Sequence, residues 1–210
     1  MTATWRATQK AHRRAALMES AARLFAEGDF AAVSTAELGE AVGMSGPALY
    51  KHFPSKDALL AEIHVDASER LLDGCRTILA DGSPEEARGG AADTLMRLIR
   101  FHPEFATTDP DVIRMQDREL PSLTPEDNQE VRRLQRVQLS DGAPARLDPA
   151  MRDDERQVRL LGAFGLLNST PHSAPDSTGD PAGLILAGMA YRSLAGGTSP
   201  AVAADAGSAA

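Results

Sequence analysis

Cysteine occurs once in the 210 residues, at Cys75, so no disulfide can form within the chain and the fold must rest on packing. Cys75 falls on an apolar helical stripe, which favours a place in the core over a redox role. Long hydrophobic runs are missing as well: nothing approaches the ~20 apolar residues of a membrane span, and the opening MTATWRATQKAHRR is polar and basic, without a signal peptide's apolar region. A soluble, cytoplasmic protein with no membrane partner is expected. The five histidines, His12, His52, His64, His102 and His172, are scattered without a His-x3-His pair or a cysteine neighbour, which argues against a metal. No nucleophile motif and no phosphate-cradling glycine loop occurs, so neither catalytic residues, nor a cofactor, nor an enzyme are expected. Sustained alternation of period two with β-branched residues is absent too, leaving an all-α chain.

Positive charge is in deficit overall, with a net charge of -8, yet the deficit is uneven. Residues 1–60 hold Arg6, Lys10, Arg13, Arg14, Arg23, Lys51 and Lys56 against six acids, so the remainder carries -9. Before residue 24 the only acid is Glu19. A basic arm on an acidic protein suits phosphate attraction, because affinity follows local charge.

The stretch from Ser34 to Leu60, STAELGEAVGMSGPALYKHFPSKDALL, carries the clearest local signals. Ser34 and Glu37 form a capping box, Val33 can staple on Leu38, and Gly43 can close the helix in the left-handed conformation. Ser45 is then placed to cap a second short helix, Gly46 to His52, with Met44 over Leu49. Two helices about a glycine-containing turn make a helix-turn-helix. Leu49 and Phe53 face inward with Leu38 and Val42, leaving Pro47, Ala48, Tyr50, Lys51 and His52 outward or sideways. The plain alternative is a helical hairpin with a solvated lysine.

The spaced positions Thr35, Leu38, Gly39, Gly43, Met44, Ser45, Tyr50, His52, Phe53, Lys56, Leu59 and Leu60 resemble the signature of the TetR family of bacterial repressors. The likeness runs from about Ala15 to Leu60, under a third of the chain. Gly39 departs from the family's alanine, at about 1 kcal/mol in a helix interior, and Met44 departs from its valine. The resemblance implies that Thr35, Ser45, Tyr50, His52 and Lys56 contact DNA, Lys56 through a phosphate. Pro47, Ala48 and Lys51 are left to face base edges, with Lys51 the main polar reader.

Around this unit the pattern is helical. Ala16, Leu17, Ala21, Leu24 and Phe25 predict a first helix from about Gln9 to Glu27, with Arg13 and Arg14 near phosphates. Ser55 caps a long helix whose stripe Leu60, Ile63, Ala67, Leu71, Cys75 and Ile78 runs about six turns to Asp81-Gly82. In the resembled family this helix is a lever carrying effector-driven motion to the DNA-binding heads. Ser83-Pro84, Asp109-Pro110, Thr124-Pro125, Asp148-Pro149 and Asp180-Pro181 each pair a capping residue with a first-turn proline. They predict helices over about 84–102, 110–119, 125–139, 149–168 and 181–195. The expected domains are a helix-turn-helix DNA-binding head over 1–55, an effector-binding and dimerisation domain over 56–196, and a disordered tail over 197–210.

The last two helices carry broad apolar faces, and the family's dimer is a four-helix bundle of its last two helices. A homodimer through Leu160, Phe164, Leu167, Leu184, Ile185 and Met189 is therefore expected. The family also binds an effector between the long helix and those after it. His64, Leu71, Leu98, Phe101, His102, Phe105, Met115 and Phe164 are the candidate lining, with plain core packing the alternative for each. Phe101-His102-Pro103 should end a helix, and the gap to residue 110 is a candidate pocket mouth. The polar cluster at 166–173 suits either a ligand's polar group or a helix stop. The function that follows is a ligand-responsive repressor that binds a pseudo-palindromic operator as a dimer and is released by a small apolar effector, acyl-CoA-like, fatty-acid-like or a hydrophobic drug. The alternative is a helical small-molecule-binding or protein-interaction protein with a non-functional head.

Overall fold

Leu17, Ala21, Ala22 and Phe25 fall on one side of a helix and are buried, while Glu19 and Arg23 between them are exposed, so the first element forms by burying that stripe. A computed structural model describes residues 2–80, 90–141, 151–170 and 181–195. Its elements are α1 (Thr2–Glu27), α2 (Thr35–Glu40), a 3-10 turn (Gly46–Lys51), α3 (Lys56–Ala80), α4 (Gly90–Thr108), α5 (Pro110–Glu119), a short 3-10 segment (Leu120–Ser122), α6 (Pro125–Asp141), α7 (Asp153–Asn168) and α8 (Pro181–Ala195). Every regular element among the described residues is helical. None of these helices is long and apolar enough to cross a membrane.

Several boundaries differ from those expected. α1 begins at Thr2, two turns before the expected start at Gln9, because helix once nucleated propagates through residues that break nothing. α4 does not stop before Pro103 but continues to Thr108. Proline inside a helix costs about 3 kcal/mol, and burial of Leu95, Ile99, His102 and Ala106 along the same helix opposes that cost. α7 starts at Asp153, since Arg152 is extended; Asp148-Pro149 lies outside the described residues, as do Ser83-Pro84, Asp180 and the tail. Ser55 caps α3 through Ala58 N–H at 2.9 Å, and Thr124 caps α6 through Asp127 N–H at 3.2 Å. Asp109 makes no capping bond; its carboxylate pairs instead with Arg70 at 2.6 Å.

The chain divides into two units, Met1–Arg70 with Asp109–Gln135, and Leu71–Thr108 with Arg136–Ala210. The first buries Leu17, Phe25, Leu38, Leu49, Phe53, Leu59, Leu60, Ile113, Met115 and Val131. Arg118 of α5 holds the end of α1 by donating to the carbonyls of Phe25 and Gly28, and Glu119 accepts from Phe30 N–H at 3.2 Å. The second unit packs α4, α7 and α8 around Leu95, Ile99, Ala163, Leu167, Ala187, Ala190 and Leu194. There the Phe101 ring fills the notch at Gly74 of α3, where a Cβ would stand 2.1 Å from its Cζ.

Candidate functional site

The helix-turn-helix is built from local bonds. Ser34 Oγ accepts from Glu37 N–H at 3.2 Å, and Ser34 N–H donates to the Glu37 carboxylate at 2.7 Å, completing the capping box. The Ser34 backbone bond, followed by the one to its hydroxyl, holds the Glu37 carboxyl below the usual carboxylate range. Gly43 takes φ +66 and ends the helix. A Cβ on Gly39 would meet Met44 O at 2.7 Å and Gly46 N at 2.9 Å. The glycine that looked like a weakness is where the turn backbone comes closest.

The second helix is a 3-10 turn rather than an α-helix, and Ser45 does not cap it. Pro47 has no N–H, and Ala48 N–H is already bound to Ser45 O at 2.8 Å, so the Ser45 hydroxyl finds no donor in that turn. Leu49 and Phe53 are buried beneath it. Pro47, Tyr50 and Lys51 are exposed above, Tyr50 by 53%, and Thr35 and Ala48 are half-buried.

Two basic residues expected at phosphates turn inward. Lys56 donates to Phe30 O at 2.6 Å and Val33 O at 2.9 Å, with its ammonium 4.3 Å over the Phe30 ring. Arg14 stacks 4.1 Å over Phe53, donates to His52 O at 2.6 Å and pairs with Glu62. Both stitch the loop and the 3-10 turn onto the flanking helices. Lys10, Arg13, Arg14 and Lys51 surround His52, whose imidazole is driven below its ordinary value first by burial and then by these charges. His52 Nδ1 has no hydrogen-bond partner.

The expected effector residues divide between the units. His64 and Met115 are buried in the first, and neither ring nitrogen of His64 has a partner; burial lowers its pKa to about 4, with Glu119 opposing. Leu71, Leu98, Phe101, His102, Phe105 and Phe164 belong to the second. That unit brings Phe101 and Phe105 together with ring centroids 6.5 Å apart, and sets His102 edge-on to Phe164 at 4.8 Å. His102 Nε2 lies 2.7 Å from Asn168 Oδ1, its Nδ1 has no partner, and burial pushes its pKa down against that bond. The stretch after Pro103, expected as a gap between helices, is helical to Thr108, and residues 171–173 of the polar cluster lie outside the described residues.

Among the expected dimer residues, Leu167 is buried in its own unit's core, Leu160 packs against that core, and Phe164 lies on His102. Leu184 and Ile185 are each 63% exposed and Met189 40%. Val158 and Leu161, which the expected set omitted, join them at 70% and 55%. Val158, Leu161, Gly162 and Gly165 share one face of α7, and a Cβ on either glycine would meet nothing within 4 Å. Leu160 and Leu161 are adjacent and equally apolar, so only packing separates the inner from the outer.

Residues 17–63 match the family described as bacterial regulatory proteins, tetR family. The chain is 35% identical over 78 residues to the HTH-type transcriptional repressor KstR2 of Rhodococcus jostii, covering 37% of this chain and 38% of that protein. It is 33% identical over 73 residues to the nucleoid occlusion factor SlmA of Marinobacter nauticus, 35% of this chain and 37% of that one. These matches therefore span little more than a third of either relative. A TetR-family transcriptional regulator from Bordetella parapertussis shares the fold at a TM-score of 0.74, with 23% identity over 88% of this chain and 94% of that one. So does AibR, solved with isovaleryl coenzyme A and operator DNA, at 0.69, with 19% identity over 87% and 97%.

Proposed function

We propose that this tetR-family regulator binds a pseudo-palindromic DNA operator as a homodimer and leaves it when a small, largely apolar effector enters its second unit. The observation that carries this is the outer face of the 3-10 turn. Pro47, Tyr50 and Lys51 stand clear of the core, with Ala48 half-exposed beside them and an edge of positive charge from Lys10, Arg13 and Lys51. Lys51 hydrogen-bonds a guanine edge, and Pro47 and Ala48 offer apolar contact suited to thymine methyls. Thr35, Tyr50, Ser45 and His52 hold the sugar-phosphate backbone. Lys56 and Arg14 act from behind, fixing the turn that carries these groups.

The second copy docks on the apolar face of Val158, Leu161, Leu184, Ile185 and Met189, which is exposed, with Arg192 at its edge. The effector occupies the second unit near Leu98, Phe101, Phe105 and Phe164, where His102 with Asn168 supplies a polar end. The isovaleryl coenzyme A bound by AibR supports an acyl-bearing molecule of this kind. Release requires that the effector prefer the conformation that does not fit DNA, since equal affinity for both shifts nothing.

Selection of duplexes from a random library by the purified chain, followed by gel shift against non-specific competitor, tests the proposal. A two-fold symmetric consensus bound by two chains is expected, and loss of the band on adding an acyl-CoA. Binding that resists no competitor, or enrichment of no sequence, overturns it.

A further inference from the structure

α1 places Trp5, Gln9 and Arg13 four residues apart on one face, with Lys10 beside them, all of them exposed. Together with His52 these residues line an open groove of about 280 Å³. Trp5 is 65% exposed, and large aromatics left in water at a cationic edge are suited to contact rather than to core. No carboxylate lines the groove, and neither Lys10 nor Arg13 has an ion-pair partner among the described residues. Lys51 and Arg14 add positive potential at His52.

We propose that the groove takes the sugar-phosphate strand of duplex DNA flanking the base pairs read by the 3-10 turn. Lys10 and Arg13 hold phosphates, and the Trp5 ring covers a deoxyribose while its indole N–H donates to a phosphate oxygen. His52, one of the residues lining the groove, directly follows the reading turn, so the flanking strand is continuous with the proposed operator contact. At 1.5 Å per residue Trp5 stands about 12 Å along α1 from Arg13, the axial rise of roughly three to four base pairs. The inference rests on operator binding and lengthens the bound site on both sides.

Trp5 is the chain's one tryptophan, so its emission reports on this groove alone. The full chain is titrated with its selected duplex trimmed to the symmetric core, and with the same core extended by about one helical turn, ~10 bp, of arbitrary sequence at each end. The extended duplex is expected to quench the indole and bind about tenfold tighter. Trp5→Ala should remove that gain without weakening binding to the trimmed duplex, and Trp5→Phe should keep part of it. Lys10→Ala and Arg13→Ala should each lower the salt slope by about one on the extended duplex. Binding of both lengths with unchanged emission, or equal affinity of Trp5→Ala and the parent for the extended duplex, overturns the flanking contact and leaves operator binding standing. Retention of neither duplex overturns operator binding, and the flanking contact with it.

Discussion

The ammonium of Lys56 lies 2.6 Å from the carbonyl oxygen of Phe30 and 4.3 Å above the ring of the same residue, so one side chain pins the segment joining α1 to α2. Two of its three protons are used inside the head, the second on Val33 O.

Lys56→Met keeps the stem and removes these bonds. Hydrogen bonds from charged groups contribute about 1.5 to 3 kcal/mol, so a loss of about 2 kcal/mol and a fall in melting temperature of roughly 4 to 8 °C are expected. Below the transition the salt dependence of DNA binding should stay as in the parent. A slope lowered by about one with unchanged melting would instead make Lys56 a phosphate contact.

Lys51 is exposed on the outer face of the 3-10 turn with no part in the core. Lys51→Ala should relax preference at one base position, at about 1 to 3 kcal/mol, and leave melting unchanged. Binding to a panel of single-base operator variants measures this; uniform weakening across the panel would place Lys51 on the backbone.

Variants at Leu161 and Leu167 should separate the proposed self-association from folding. Leu161→Glu with Ile185→Glu puts charge on the exposed apolar face, and sedimentation should then show monomers of near-parental melting temperature. Leu167→Ala empties a core position at about 2 to 5 kcal/mol, and its folded fraction should remain dimeric. Dimers that persist in the double glutamate variant would move the interface elsewhere.

His64 is buried with both ring nitrogens unpartnered, and its pKa falls from 6.5 to about 4. A depressed histidine leaves the unfolded state binding more protons, so its contribution is complete above pH 6.5 and is lost as pH falls toward 4. At 1.36 kcal/mol per unit this amounts to about 3 kcal/mol. His102, also depressed by burial, steepens the same limb. Denaturant midpoints from pH 7.5 to 4.5 should show this slope, and His64→Leu should flatten it; an unchanged slope in that variant would assign the acid limb to other groups.

What was legible in the residues was whatever depends on bonds spanning three or four positions. The Ser34–Glu37 capping box, the left-handed Gly43, and the caps at Ser55 and Thr124 all follow from identities a turn apart, and the structure has each of them. The spaced positions from Thr35 to Leu60 likewise pointed to the family before any fold was known. Tertiary contact decided the rest. Lys56 and Arg14 were equally able to reach a phosphate or a neighbour, and the carbonyls of Phe30, Val33 and His52 come near only when α1, the loop and α3 are assembled. Ser45 lost its capping role because the 3-10 geometry had already claimed the Ala48 amide. Pro103 should end a helix by local rules, yet the helix runs on past it beside buried Ile99, His102 and Ala106. Leu160 and Leu161 are alike to any periodicity, and only the packing of α4, α7 and α8 turns one inward and leaves the other facing out.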